Sequence, residues 1–161
     1  MRKLIVLFVL IFTSAGLRSQ PTPYGNIGLS LEFGFDRCLY LTPKICLGYF
    51  FDEISFANLT VSYSYSTSNK LNSFWNFYSE LGFPALLLPP NDSNSQPFSY
   101  GIGAGISTTT FDSIRVTSFR SNYFFGFAFG YMNYVHHTKM EFPDNIGVEG
   151  IFPFYAPYLK E

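Results

Sequence analysis

Apolar and polar residues alternate along most of the chain, and this pattern indicates β-strands rather than helices. The clearest case is the segment 121–134, SNYFFGFAFGYMNY, where every second residue is aromatic and the residues between are mostly small. The aromatic row consists of Tyr123, Phe125, Phe127, Phe129 and Tyr131. Because the alternation is uninterrupted, the sequence predicts one continuous strand over this segment.

The same alternation occurs in other segments, which are separated by residues that favour turns. These segments predict seven strands, and no helical periodicity is present after the first twenty residues. An eighth strand would lie in 135–142, around Thr138, Met140 and Phe142, where the pattern is weak. The alternating segments are 27–51, which holds two strands, 59–65, 75–83, 100–107, 121–134 and 146–155.

The N-terminal residues have the layout of a secretory signal peptide. A basic start is followed by an apolar run over 4–12 and then by small and polar residues. This apolar run is too short for the ~20 residues that a membrane-spanning helix needs. Cleavage is predicted after Ala15 or Ser19, so that 1–19 is the signal peptide and 20–161 is a single domain.

The composition is unusual for a soluble domain. Aromatic residues make up 20% of the chain and charged residues only 13%, whereas ordinary globular proteins carry about 25% charged residues. The 10 basic and 11 acidic residues form no basic run, which argues against nucleic acid as a partner. No phosphate-binding glycine motif or zinc-type spacing occurs, so no cofactor or metal site is expected.

The placement of charge distinguishes a soluble sandwich from a membrane barrel. The face opposite the large apolar residues is rich in Gly, Ser, Ala and Asn, and the charges within the strands fall on this face. A lipid-facing barrel has this arrangement, because its outer surface contacts hydrocarbon and its narrow interior takes small polar residues. The predicted interior charges are Glu32, Lys44, Glu80, Arg120 and Glu149.

The barrel arrangement gives the aromatic row a role. The phenylalanines of segment 121–134 would contact lipid tails, and Tyr123 and Tyr131 would lie at the two membrane interfaces as an aromatic girdle. Inside the barrel an unpaired buried charge would cost several kcal/mol. The sequence therefore predicts paired charges in the lumen, and Glu80 with Arg120 is the pair that we expect.

In these patterns the chain resembles the small outer-membrane β-barrel proteins of Gram-negative bacteria, the eight-stranded class. About 140 residues after the signal peptide correspond to roughly 17 per strand and turn, which suits strands of ~9 to 11 spanning residues. The resemblance implies an antiparallel up-and-down transmembrane β-barrel in contact with outer-membrane lipid. Members of this class end on an aromatic strand, and Phe152 and Phe154 match it, although APYLKE follows.

The two cysteines could form a disulfide. A two-residue turn at 36–37 would put the apolar rows of the two strands that it joins on opposite faces of the sheet. A hairpin centred near Thr42 keeps both apolar rows on the same face. That hairpin sets Cys38 opposite Cys46 on the interior face. In an oxidising envelope the pair could be oxidised. It could also remain as two buried thiols, because opposite Cβ atoms lie ~4.5 to 5.5 Å apart and a disulfide prefers ~3.8 Å.

These observations predict a structural or surface-interaction role, with an unidentified surface partner and a non-conducting lumen, and no enzymatic activity. One alternative is a lipid hydrolase or acyltransferase on the same barrel, which would use His136 or His137 beside a serine. Another is a soluble envelope barrel that binds an apolar ligand and has the aromatic residues as its core. With both chain ends in the periplasm, the longest connection, 85–97, also falls on the periplasmic side.

Overall fold

The computed structural model describes residues 22–51, 55–68, 73–84, 98–111, 113–127 and 130–155. The predicted signal peptide, 1–19, lies outside these ranges. Each strand pairs antiparallel with the next and the last pairs with the first, which confirms a closed up-and-down barrel of eight strands. The strands are β1 Thr22–Gly34, β2 Leu39–Phe50, β3 Phe56–Ser66, β4 Phe74–Pro84, β5 Phe98–Phe111, β6 Ile114–Phe127, β7 Gly130–His137 and β8 Asn145–Tyr155.

The alternation of the sequence becomes an apolar outside and a polar inside. In β2, Ile45 is 56% exposed, whereas its neighbours Lys44 and Cys46 are 5% and 1% exposed. The same contrast separates Tyr123 from Asn122 in β6. Successive side chains of a strand point to opposite faces, so the large apolar rows lie on the outer surface of the barrel. No helix in the described residues is long and apolar enough to cross a membrane.

The barrel has two rims. The distal rim carries the β1–β2, β3–β4, β5–β6 and β7–β8 connections, and the proximal rim carries the first residue of β1 and the last residue of β8. The strand ends joined through 85–97 also lie at the proximal rim. The two strand ends that flank 85–97 are therefore on the same side as the two ends of the barrel, as the strand count predicted.

The prediction of one continuous strand over 121–134 was wrong. β6 ends at Phe127 and β7 begins at Gly130, and these two residues pair across a two-residue connection. Such a connection pairs odd positions with even ones, so Tyr131 faces the lumen and Met132 is 58% exposed on the outside. Aromatic and small residues alternate on both sides of the connection, so the sequence pattern does not reveal where β6 ends. The structure also makes 138–144 a turn, which contradicts the eighth strand predicted at 135–142.

The hairpin predicted near Thr42 was also wrong, because the β1–β2 connection is a three-residue turn that keeps the parity of the apolar rows. The Gly34 N–H donates to the Cys38 carbonyl at 2.8 Å, and the Arg37 N–H donates to the Gly34 carbonyl at 2.9 Å. Arg37 has φ 68°, the left-handed conformation that closes this type of hairpin. Thr42 and Pro43 continue β2 and pair with β1. The pairing with β3 is interrupted at these two positions, which suits Pro43 because proline has no N–H to donate.

This register excludes the predicted disulfide. Cys46 pairs with Asn26 of β1, and Cys38 directly precedes β2. Eight residues of extended chain separate the two cysteines by about 26 Å, far more than a disulfide spans. Both cysteines are free thiols.

The left-handed turn residue gives a stability prediction. A residue with a Cβ is strained at a positive φ, whereas glycine is not. Arg37→Gly should therefore be about 1 kcal/mol more stable than Arg37→Ala, because both variants remove the arginine side chain and only alanine retains the Cβ. Urea unfolding in detergent micelles measures the difference. Equal stabilities of the two variants would show that this turn relaxes without cost.

Candidate functional site

The five predicted charges all lie inside the barrel, each at most 8% exposed. Lys44 of β2 forms an ion pair with Glu149 of β8. The carboxylate of Glu80 accepts hydrogen bonds from Asn122 Nδ2 at 2.7 Å and from Thr60 Oγ1 at 3.2 Å. The lumen at this level is therefore a network of charged and polar groups, although Asn122 Oδ1 and Arg120 Nε have no hydrogen-bond partner among the described residues.

The predicted pairing of Glu80 with Arg120 does not occur. Arg120 lies over the ring of Tyr78, with its guanidinium carbon 4.0 Å from the ring centroid, a cation–π contact. Within the described ranges, the ion pair of the lumen is the one between Lys44 and Glu149. Glu80 instead accepts hydrogen bonds from neutral donors on β3, which is next to β4, and on β6, which is two strands away.

A glycine in β1 makes the observed ion pair possible. β1 lies between β2 and β8, and Gly28 is the partner of Lys44 in the β1–β2 ladder. A Cβ at Gly28 would lie 2.9 Å from Lys44 Cε, so any larger residue would obstruct the lysine side chain. The lysine therefore reaches across β1 to Glu149. The sequence signal for this contact is a glycine opposite a lysine, but it can be recognised only when the register is known.

Aromatic side chains close the lumen at the distal rim. Tyr40, Phe74 and Phe142 are at most 3% exposed and form one buried cluster. Phe74 lies 5.3 Å from Phe142 and 5.7 Å from Tyr40 between ring centroids. The Tyr40 hydroxyl also donates to Asp36 in the β1–β2 turn at 2.7 Å. Phe142 was assigned to a weak strand by the sequence pattern, but it belongs to the turn and folds into the barrel end.

A second aromatic cluster occupies the lumen near the proximal rim. Tyr24 contacts Phe50 at 4.4 Å between ring centroids, and Phe56 stacks on Phe124 at 5.8 Å. Tyr131 packs edge-on against Phe124 at 5.7 Å. Tyr131 was predicted to face lipid, so its position here corrects that prediction. The charged network lies between two aromatic closures.

Of the predicted lipid-facing row, Tyr123 and Phe125 lie on the outer surface at 52% and 48% exposure. Phe129 and the side chain of Phe127 lie outside the described residues. The ring of Tyr123 stacks with that of Tyr134 on β7, with centroids 6.3 Å apart. Tyr134 is the direct cross-strand partner of Tyr123, so it does not replace Tyr131 at the opposite interface.

The two histidines point in opposite directions from the end of β7. His137 faces the lumen, where Nε2 lies 2.9 Å from Ser107 Oγ and Nδ1 lies 2.7 Å from the Pro143 carbonyl. Ser107 is fully buried and His137 is 5% exposed, so this serine–histidine pair is out of reach of lipid. His136 faces outward and has a half-exposed side chain.

Asp144 holds His136 at the distal rim. His136 Nδ1 lies 2.8 Å from Asp144 Oδ2. The same carboxylate accepts hydrogen bonds from the Tyr134 hydroxyl at 3.1 Å and from the His137 N–H at 2.8 Å. Burial alone would raise the pKa of Asp144, but the hydrogen bonds from His136, the His137 backbone and Tyr134 lower it below its usual value. Asp144 is thus an ionised acceptor at neutral pH.

No family model matches the chain, and no curated protein matches it. Among solved structures, the chain is similar to a de novo designed transmembrane β-barrel. The likeness covers 80% of this chain and 95% of the designed chain, with a TM-score of 0.44 and 10% sequence identity. The function of the protein is therefore inferred from the geometry of the barrel itself.

Proposed function

We propose that the protein is a membrane-embedded β-barrel of the outer membrane of a Gram-negative bacterium. The observation that carries the proposal is the outer surface, which has large exposed apolar side chains on every strand. Soluble proteins rarely expose contiguous apolar patches larger than a few hundred Å², and hydrocarbon is the solvent that favours this surface. One outer residue from each strand, in chain order and each between 42% and 71% exposed, is Leu29, Ile45, Leu59, Phe77, Ile102, Phe119, Met132 and Val148.

The proposed barrel does not conduct ions. The interior of an eight-stranded barrel is just wide enough for side chains to fill it or for one small ligand. The Lys44–Glu149 ion pair and the hydrogen bonds of Glu80 occupy the centre of the lumen. Aromatic clusters that include Phe74 and Phe124 lie on either side of that centre. These contacts support a plugged lumen.

The proposed role is structural or concerns interaction with an unidentified partner at the cell surface. β5 and β6 are each 14 residues long, and their hairpin carries polar residues at the distal rim. Thr108, for example, accepts a hydrogen bond from Arg115 Nε at 3.1 Å. We assign the distal rim to the outside of the cell, because the first residue of β1 and the last residue of β8 then face the periplasm.

The orientation of the apolar rows counts against a soluble barrel with an apolar ligand inside. Such a protein would need large apolar side chains around an internal cavity, as lipocalin-type barrels have. The described interior between the aromatic clusters is instead lined with Ser, Thr, Asn and charged residues.

Heat-modifiable migration and bilayer conductance test the proposal together. The protein folded in detergent micelles should migrate differently on a gel before and after boiling, and it should add no open-channel conductance to a planar lipid bilayer. A protein that stays soluble without detergent and migrates identically before and after boiling would refute membrane insertion. Stable ion-conducting steps would refute the plugged lumen alone.

A further inference from the structure

Three residues with the chemistry of a hydrolase lie in one row on the outer surface. Ser121 of β6 is the direct cross-strand partner of His136 in β7. Val135 pairs with Asn145 on the other side of β7, so Asp144 is the next position along, opposite His136. His136 therefore lies between a serine on β6 and the aspartate that directly precedes β8.

The hydrogen bonds define the state of the histidine. His136 Nδ1 lies 2.8 Å from Asp144 Oδ2. A carboxylate can only accept, so Nδ1 carries the proton of this hydrogen bond, and in the neutral tautomer with that proton the lone pair is on Nε2. The Tyr134 hydroxyl and the His137 N–H also donate to this carboxylate, so its position is fixed from three directions. An acid that orients a histidine through Nδ1 is the arrangement that makes Nε2 a general base.

Ser121 is placed to use that base. It lies on the outer face, because Arg120 and Asn122 on either side of it face the lumen, and it is partly exposed. Directly opposite residues of a sheet have Cβ atoms ~4.5 to 5.5 Å apart, which is within reach of a serine–histidine contact. Such contacts are often long without substrate and tighten when it binds.

A groove on the outer surface extends to Ala104 of β5, which is the cross-strand partner of Ser121. It has a volume of about 780 Å³, and its wall includes Leu59, Ser79 and Ala104, which are consecutive partners in the β3–β4 and β4–β5 ladders. The next partner in this row, on β6, is Ser121. Small side chains at Ser79 and Ala104 make the groove, and the large apolar Leu59 forms part of its wall. A groove in a surface that contacts hydrocarbon suits a lipid acyl chain.

We propose that Ser121, His136 and Asp144 form a hydrolase site for the acyl esters of membrane lipids, with the acyl chain in this groove. The inference rests on the membrane insertion proposed above and adds an activity to it. Ser121 and His136 are the catalytic residues, and Asp144 is a positioning residue.

The chemistry follows from the row. Ser121 Oγ bonds to the ester carbonyl carbon while its proton passes to His136 Nε2. The ester C–O bond then breaks, and the leaving alkoxide takes that proton from Nε2. Water, the second substrate, attacks the acyl–Ser121 ester and gives a proton to Nε2. Release of the fatty acid returns that proton to Ser121 Oγ, and no oxidant or other co-reactant is consumed.

The decisive experiment uses a fluorophosphonate, a reagent that bonds covalently to activated serines. The purified protein in detergent micelles should be labelled at Ser121, as located by mass spectrometry, and should hydrolyse a long-chain p-nitrophenyl ester. Ser121→Ala and His136→Gln should lose the label and at least about 100-fold of the turnover. Asp144→Asn should label more slowly, and Asp144→Glu should recover part of the rate.

Ser107→Ala is the matched control, because Ser107 also contacts a histidine but lies in the lumen. This variant should label and turn over substrate as the unmodified protein does. A folded, heat-modifiable protein that is unlabelled and inactive, or that is labelled at another serine, would overturn the hydrolase site and leave the membrane barrel intact. A protein that forms no heat-modifiable barrel would overturn both proposals.

Discussion

Glu149→Gln is expected to destabilise the barrel by about 3 to 5 kcal/mol, because it leaves the buried Lys44 ammonium without its partner. The side chains of Lys44 and Glu149 are 3% and 6% exposed, so water cannot replace the lost carboxylate. The loss should appear as a lower free energy of unfolding in urea, measured in detergent micelles.

A double variant separates the interaction between Lys44 and Glu149 from the cost of leaving one buried charge unpaired. Lys44→Met combined with Glu149→Gln should recover much of the stability, since neither residue then carries an uncompensated charge. Glu32→Gln is a control, because Glu32 accepts a hydrogen bond from Asn145 at 3.1 Å and has no ion-pair partner within the described ranges. Glu32→Gln should lower the free energy of unfolding by less than Glu149→Gln does. Additive effects of the Lys44 and Glu149 changes would show that the two residues do not interact.

Ile45→Arg should also strongly destabilise the inserted barrel. Ile45 lies near the middle of β2 on the outer surface, and an arginine that faces lipid at the bilayer midplane costs about 2 to 4 kcal/mol. The neighbouring residue, Lys44, is a natural cation that faces the lumen. The effect should therefore depend on the face of the strand and not on the presence of a positive charge in β2.

Ile45→Leu is the matched control, since it keeps an apolar side chain of the same size at the lipid surface. It should change the free energy of unfolding in lipid vesicles by less than about 1.5 kcal/mol. If Ile45→Arg were tolerated as well as Ile45→Leu, the outer surface of β2 would face water and not lipid.

The alternation of residues was sufficient to predict the barrel and the face of most side chains. Within a strand, each residue faces opposite to its neighbour, so Lys44 and Glu80 could be assigned to the interior without any knowledge of register. The errors arose at connections. The two-residue connection after Phe127 pairs odd positions with even ones, whereas the three-residue turn at Arg37 pairs odd positions with odd ones. Neither connection has a strong turn sequence.

The contacts between strands could not be predicted for the same reason. The predicted pair of Glu80 and Arg120 does not form, and Lys44 pairs with Glu149 instead. This contact is possible because β2 and β8 both flank β1, where Gly28 leaves room for the lysine side chain. The row of Ser121, His136 and Asp144 likewise depends on the length of the β6–β7 connection. A continuous strand over 121–134 would have moved Ser121 away from His136. Both sites therefore follow from register, which local sequence patterns do not specify here.

The single tryptophan provides the most direct measurement of the central claim, which is that the outer surface of the barrel contacts lipid. Trp75 lies on that surface at 50% exposure, near the distal end of β4. In vesicles made with brominated lipids, its fluorescence should be strongly quenched, and it should be shielded from iodide in the water. Trp75 fluorescence that is unaffected by brominated lipid and fully quenched by iodide would contradict a membrane-embedded barrel.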